Sequence, residues 1–399
     1  MKPSPIVVIL MLTICAAMQP DSAHAIPYFA RKYNVSCSQC HVQPPKLNAF
    51  GEEFRSRGYQ MPGLVGRRTV PFAIWASGRS DALHDEQEVR DAVAAYVNKL
   101  EVISGGQAVV PWLSYFVEWR PVSLETTKRN GVVQLRDRAG RFEDIYLTAS
   151  ARNLAVTVGQ FRQMEQVDVS LRLGLSEPLV LSASLPGSAE GLPGGPDGKL
   201  TARGSRQQSL RGFSPSGRSP SVRVGWNQEV SSGWRWTTLA ALPFPGEFSI
   251  PLTDEARVEA SNEFESDHLK GVVLESFVRR GLMSVGGHVF YDNADRYLAN
   301  LVTTGNRGHV YWTGIGGVEK AAAASGLRGR WSVEAEYVPH YLLGLGGRVE
   351  NRAADGAKPA FVPYFRSHFP GSRYTVYLGL ERRFQEGRDA TLLEFGTVF

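Results

Sequence analysis

Trp331-Ser332-Val333-Glu334-Ala335-Glu336-Tyr337 alternates apolar with polar residues. That is the period-two pattern of a strand with one face in an apolar medium and the other in a polar one. The same alternation recurs along the chain. Tyr374, Val376, Leu378 and Leu380 alternate with Thr375, Tyr377, Gly379 and Glu381, and Leu113, Tyr115, Val117 and Trp119 face away from Ser114, Glu118 and Arg120. Strands of soluble sandwiches average about 5 or 6 residues. These run to about 10, the span of a tilted strand through hydrocarbon. Several carry Trp or Tyr at their ends, as an interfacial girdle requires.

Connection lengths give an independent sign, because membrane barrels alternate short turns on one side with long loops on the other. If the first strand starts at Phe72, the segments His84 to Arg90, Ser123 to Arg141, Pro243 to Asp267, Asp292 to Arg307 and Val338 to Ala360 are long external loops. Gly105-Gly106, Arg152-Asn153, Ser231-Ser232-Gly233, Arg279-Arg280-Gly281 and Ala321 to Gly326 are tight internal turns. The last segment alternates Leu393, Phe395, Thr397 and Phe399 against Glu394 and Gly396, and its aromatic end resembles the assembly signal of bacterial outer-membrane proteins. The expected fold is all-β: a transmembrane antiparallel β-barrel of 14 to 16 strands. Sixteen is preferred, with two strands assigned within Gln163 to Leu185. Pro186 to Pro220 is rich in Gly, Ser, Pro and Arg, and either stays outside or folds into the lumen.

Composition leaves room for this reading and closes others. The 399 residues are 43% hydrophobic and 21% charged, yet no apolar run reaches the roughly 18 residues that a spanning helix needs. The net charge of +5 is spread along the chain rather than gathered in a basic helix or arm, so nucleic acid is not an expected partner. Lys2, the apolar run Ile6 to Met18 and Ser22-Ala23-His24-Ala25 match a secretory signal peptide over residues 1–25. Its removal takes Cys15 and leaves Cys37 and Cys40. Cys15 as a lipid attachment site is disfavoured by Ile14, where such sites want a small residue.

Both remaining cysteines lie in Cys37-Ser38-Gln39-Cys40-His41, the CxxCH attachment sequence of c-type haem. On a helical turn the two sulfurs share a face and can form thioethers to the two vinyl groups, while His41 brings an imidazole to the iron. A disulfide and a zinc half-site compete. Zinc wants further ligands that the chain does not supply as a second cysteine pair, and redox CxxC motifs sit on a thioredoxin-like pattern that is missing. Downstream, Leu47, Phe50, Gly51 and Phe54 fall on one face of a short amphipathic helix opened by Pro44-Pro45 and closed by Gly58. Gly51 on that face permits close approach to a flat macrocycle. A segment of residues 26–62 is too small to bury a haem alone, so it borrows a wall from the rest of the chain. Met61 is the candidate sixth ligand, with His84 or no protein ligand as alternatives; residues 63–71 are a linker and 72–399 the barrel.

The run Phe29-Ala30-Arg31-Lys32-Tyr33-Asn34-Val35-Ser36-Cys37-x-x-Cys40-His41, then Pro45-x-Leu47-Asn48-x-Phe50-Gly51-x-x-Phe54 and Gly58-Tyr59, resembles the opening of the fused outer-membrane cytochrome–porins. More loosely, Phe142-Glu143-Asp144 through Gly159-Gln160-Phe161 is similar to a hairpin of phosphate-selective porins. The first resemblance implies one covalently bound c-type haem on Cys37, Cys40 and His41, in or under the lumen of a Gram-negative outer-membrane barrel. Pro44 departs from the aromatic that members often carry, so packing on the haem differs there. Some members oxidise ferrous iron, which implies an Fe(II):cytochrome c oxidoreductase activity.

The function so implied is an electron conduit. Electrons pass from extracellular Fe(II) or another reductant to a periplasmic c-type cytochrome or other soluble carrier. Hydrocarbon about 30 Å thick is too wide for efficient transfer without a cofactor inside it, and a polar lumen lets a haem sit at depth. His84, Asp85, Glu86 and Glu88 form the best external metal-attracting cluster, with hard oxygen ligands suited to a ferrous ion. The alternative is a passive, anion-favouring porin with the haem segment as plug or sensor, for which Arg120 and Arg235 occupy inward positions. A soluble periplasmic haem enzyme is the third class, and no nucleophile triad or carboxylate pair supports it.

Overall fold

A computed structural model describes residues 27–59, 72–85, 90–129, 132–137, 139–176, 178–181, 218–244, 248–253, 271–292, 297–320, 326–352, 358–370, 374–385 and 388–398. The chain forms a closed antiparallel barrel. In order its strands are β3 (Ala73–Asp85), β4 (Arg90–Gln107), β5 (Leu113–Arg129), β6 (Val132–Asp137), β7 (Arg141–Ala151), β8 (Leu154–Arg162), β9 (Arg218–Ser231), β10 (Trp234–Pro243) and β11 (Gly271–Arg280). They continue with β12 (Met283–Asp292), β13 (Tyr297–Arg307), β14 (Val310–Lys320), β15 (Arg328–His340), β16 (Leu343–Arg352), β17 (Ala360–Pro370), β18 (Thr375–Gln385) and β19 (Arg388–Val398). β19 pairs with β3 from Val398 opposite Trp75 to Arg388 opposite Asp85, which removes every sheet edge. β6 and β7 lie on the same flank of β5, β6 against Leu124–Arg129 and β7 against Leu113–Arg120. They are one strand broken at Gly140, whose positive φ and hydrogen bond to the Arg120 carbonyl mark the break. The barrel therefore has 16 strands.

The barrel is apolar outside and polar inside. In β15 the apolar positions Val333, Ala335 and Tyr337 are exposed, whereas Arg330, Ser332, Glu334 and Glu336 are buried. Leu301, at the middle of β13, is 76% exposed, and Val285, Val289, Leu274, Phe361 and Phe395 continue the belt around other strands. A soluble protein rarely presents a contiguous patch beyond a few hundred Å²; here the apolar side of most strands faces out. No helix among the described residues is long and apolar enough to cross a membrane. Leu301→Arg is expected to cost about 2–4 kcal/mol in a bilayer, the penalty of an arginine near midplane. Urea unfolding of the protein in lipid vesicles checks this; no loss of stability would mean that the belt does not face hydrocarbon.

The lumen is filled by two pieces of chain. The first holds α1 (Pro27–Tyr33), a 3-10 turn at Cys37–Gln39, the short pair β1 (His41–Gln43) and β2 (Lys46–Leu47), and α2 (Ala49–Ser56). It lies at the short-turn end: Lys46 Nζ is 2.6 Å from Glu336 of β15, Arg279 of β11 meets Glu52, and Arg235 of β10 meets Glu53. The second piece is residues 163–181. Its amides seek wall carboxylates: those of Glu165 and Gln166 donate to Glu275, that of Leu173 to Glu336, and those of Leu175 and Ser176 to Glu381.

These findings correct several expectations. The described part of Gln163 to Leu185 holds no barrel strands, because its backbone is satisfied by side chains of the wall. The two strands needed for sixteen are instead β13 and β16, which lie where long loops were expected at Asp292 to Arg307 and Val338 to Ala360. Of the expected turn Ala321 to Gly326, residues 321–325 lie outside the described residues; β14 ends and β15 begins at the long-loop side, and the tight turns are those at residues 308–309 and 341–342. Two missed strands cancel in parity, so the final strand keeps its direction. Gly105-Gly106 ends β4 rather than turning the chain, and the turn follows at residues 108–112, closed by the Ala108 amide on the Leu113 carbonyl. Ser123 to Arg141 is largely a continued hairpin of β5 and β6. The turns at Arg152-Asn153 and residues 232–233 stand as read, Gly233 supplying the positive φ. Most of Pro186 to Pro220 lies outside the described residues.

Candidate functional site

The CxxCH sequence folds as a tight turn held by its own neighbourhood. The Cys40 amide donates to the Cys37 carbonyl at 3.1 Å, closing the 3-10 turn. Asn48 then ties this turn to α2. Its side-chain oxygen caps the helix by accepting the Gly51 amide at 2.9 Å, and its Nδ2 donates to the Ser38 and Gln39 carbonyls at 3.0 and 3.1 Å. Pro44-Pro45 turns β1 into β2 rather than opening the helix, which starts only after Asn48. Gly51 and Phe54 are buried as the helical face requires, and Leu47, in β2 ahead of the helix, is buried too, but Phe50 is 39% exposed and Glu52 only 3%. The barrel interior explains the exchange: Glu52 faces Arg279 and Arg55, partners that an apolar groove could not offer.

Gly51 is needed for a close approach, although to protein rather than to an open face. A Cβ there would run into the Cys40 carbonyl and stand 2.9 Å from the Leu47 side chain. Gly51→Val is therefore expected to push α2 off the motif turn at a local cost of about 1–3 kcal/mol. If the motif carries a haem, its content per barrel should fall several-fold, read by haem staining against band intensity; unchanged content would show that the packing of α2 on Cys40 is dispensable.

The motif borders a cavity of about 360 Å³ in the lumen, within the range of small-molecule and cofactor sites. Cys40, His41, Pro44, Pro45, Leu47 and Gly51 form its floor, and Trp75, Ile103, Phe116, His368 and Tyr377 belong to the barrel wall around it. A stack leads from segment to wall: Phe29 on Tyr59 at 5.2 Å, Tyr59 on Phe116 at 5.0 Å, Phe116 on Tyr146 at 5.7 Å. Six arginines and five carboxylates complete the lining, and they pair. Arg218 lies within 3.3 Å of Glu118, Glu143 and Asp144, and Arg223 is 2.9 Å from Glu165. The lining is thus part apolar and part charged, and its arginines are also met by carboxylates behind it, Arg120 by Glu101, Arg223 by Glu165 and Arg55 by Glu52.

Cys37 and Cys40 are both buried and not joined to each other. Burial pushes the Cys37 thiol up to about 12 and the Cys40 thiol up to about 11, so both are neutral thiols. Burial also lowers His41 to about 4, which keeps its imidazole neutral, the form that binds a metal. The Nδ1 of His41 lies 3.3 Å from the Pro45 carbonyl. With Nδ1 protonated and donating there, Nε2 is left as the ligating nitrogen, the arrangement that usually orients metal-binding histidines. Cys40 and His41 reach the cavity. Cys37 is buried behind the cavity lining, near Tyr341 of the β15–β16 turn. The donor set fits a covalently held haem at Cys40 and His41, and at Cys37 once its side chain leaves Tyr341.

Of the other residues singled out by sequence, Met61, Glu86 and Glu88 lie outside the described residues, and so do the side chains of His84 and Asp85. Arg120 and Arg235 do point inward, but both are bound. Arg120 is 2.5 Å from Glu101 and also meets Glu143, and Arg235 meets Glu53. Sequence reading missed His368, Tyr377 and Trp75. The signal was present in β17, where Tyr364, Arg366 and His368 alternate with Phe361, Phe365 and Phe369.

No protein-family model and no curated protein matches the chain. Among solved structures it is similar to porins. A triply substituted Rhodopseudomonas blastica porin shares 11% identity at a TM-score of 0.39, covering 82% of this chain and 99% of the porin. Another variant of that porin shares 10% at a TM-score of 0.40, covering 82% and 100%. The barrel itself rests on the closed circuit of paired strands.

Proposed function

We propose that this porin-like barrel is an outer-membrane electron conduit. It would carry one c-type haem on Cys37, Cys40 and His41, taking electrons from an extracellular reductant, foremost Fe(II), and passing them to a soluble periplasmic carrier. The observation that carries the reading is the position of the CxxCH turn: it lies inside the barrel, with Cys40 and His41 on a cavity that the wall completes. A haem bound there supplies one-electron redox chemistry. The chain's own residues do the rest. The two cysteines would tether it, with Cys37 giving up Tyr341, and His41 would ligate it in the orientation set by the Pro45 carbonyl. Phe29, Phe54, Tyr59 and Phe116 would keep water from it. The apolar belt supports bilayer insertion, and the barrel's two ends would then serve the two partners.

Adding ferrous iron to the oxidised, detergent-solubilised protein should reduce the haem, seen by its absorption, and a periplasmic c-type cytochrome should then reoxidise it. No reduction on any reasonable timescale would sink the iron reading, and absence of covalent haem staining would sink the cytochrome reading altogether.

The barrel architecture also supports a broader reading, that of a passive, anion-favouring porin with the N-terminal segment as plug or sensor. Against anion selectivity, Arg120 and Arg235 are neutralised by Glu101, Glu143 and Glu53. Large, anion-selective conductance in planar bilayers, together with inertness toward ferrous iron, would establish that alternative.

A further inference from the structure

We propose that His368, on β17, is the second axial ligand of the haem iron, giving a bis-histidine centre. The inference rests on the cytochrome reading above and adds to it the ligand that sequence left between Met61, His84 and none.

The fold brings β17 and the motif together at three points. Gln43, two residues after His41, donates its Nε2 to the Arg366 carbonyl at 3.0 Å, two residues before His368. The His368 amide donates to the Leu342 carbonyl at 2.9 Å, in the turn whose Tyr341 touches Cys37. His368 and His41 both line the cavity.

The side chain itself is prepared for a partner that the protein does not provide. His368 is 2% exposed, and its Nδ1 has no hydrogen-bond partner. A buried imidazole nitrogen without a partner destabilises the fold, a cost that a metal bond offsets. Its ring is pinned rather than free to escape. It stacks on Tyr377 of β18, directly opposite in the ladder, at 5.8 Å and 21°. Tyr377 is held in turn by Trp75 Nε1 at 2.7 Å and by its own bond to Glu394 at 3.1 Å. A ligand on a rigid strand with an orienting stack has the positional precision a metal site needs.

The test uses the full chain, matured with haem and solubilised in detergent, comparing wild type with His368→Ala and His368→Met. The wild-type ferric protein should be low-spin and six-coordinate by electron paramagnetic resonance and visible absorption. His368→Ala should turn it high-spin, let carbon monoxide bind the ferrous form readily, and return to low-spin on adding imidazole. His368→Met should restore a low-spin centre with a raised midpoint potential, as thioether ligation does. Met61→Ala should leave the spectrum unchanged. A low-spin spectrum that survives in His368→Ala, or a high-spin wild type, overturns the assignment to His368. Wild type without covalent haem overturns the cytochrome reading instead. Should His368→Ala fail to assemble, the position of the His368→Met midpoint decides: a wild-type value rejects the ligand, a higher one supports it.

Discussion

Replacing His41 by alanine is expected to abolish reduction of the protein by ferrous iron while leaving the barrel inserted. The His41 side chain bonds the Pro45 carbonyl, and the residue belongs to a segment inside the barrel rather than to any wall strand. Removing its imidazole should therefore change barrel stability by no more than about 1 kcal/mol, the range of a substitution that opens no cavity in the wall. Covalent haem should persist through Cys37 and Cys40, so staining stays positive while the iron loses an axial nitrogen. Added imidazole should recover part of the activity. The decisive pair of measurements is heat-modifiable mobility of the barrel and the absorption change on adding ferrous iron. A variant that fails to insert would mean that the segment and the barrel fold as one unit. A variant that still reduces at the wild-type rate would mean that His41 is not a ligand.

Where the sequence was legible, the medium on each side of a strand was unambiguous. β15 and β18 carry apolar residues mainly outward and polar residues mainly inward, and β5 and β19 do so over part of their length, Phe116 and Leu392 turning inward, so the period survives any error in their ends. β16 was not legible because its glycines look like loop. In the structure those glycines make room for what fills the lumen. A side chain at Gly344 would strike Gln43 and Leu173, and one at Gly346 would strike the Tyr364 ring. A strand that must accommodate a plug loses bulk at its inward positions, and with it the pattern that marks it as a strand. Residues 163–181 misled in the opposite sense. Val167, Leu171, Leu173 and Leu175 lie an even number of residues apart, but the amides of Gln166, Leu173 and Leu175 donate to Glu275, Glu336 and Glu381, partners more than a hundred residues away that no local pattern reveals. The candidate site divides likewise. The motif turn is a local sequence feature, whereas His368, Trp75 and Tyr377 meet it only because the barrel closes.

The second large effect is expected at Arg348, whose side chain on β16 is 0% exposed and lies among Glu334, Glu350 and Glu381. Its guanidinium also donates to the Ser176 carbonyl at 3.2 Å and hydroxyl at 2.8 Å, so it ties the inner segment to the wall from the same side as Glu381. Arg348→Met keeps much of the side chain's bulk and removes the charge. Three carboxylates then share a low-dielectric space with less compensation: Glu350 keeps Arg383 at 2.5 Å, but Glu334 and Glu381 lose the cation between them. Removing one member of a buried ionic group costs about 3–5 kcal/mol, because the remaining charges stay desolvated. The barrel's long hydrogen-bonded circuit can absorb that loss; the part of the inner segment around Gly174 to Ser176, tied to the wall through Glu381 and Arg348, is what should let go, while Met164, Val167, Val180 and Leu181 stay packed on the wall. The expected result is a midpoint of urea unfolding that drops markedly, accompanied by new ion conductance in planar bilayers as Gly174 and Leu175 leave the cavity wall. Restoring Ser176 contacts without the cation, as in Arg348→Gln, should recover little stability, since the carboxylates remain unbalanced. Unchanged conductance in both variants would show that residues 163–181 do not obstruct the lumen, and the passive-porin reading would then lose its plug as well as its free arginines.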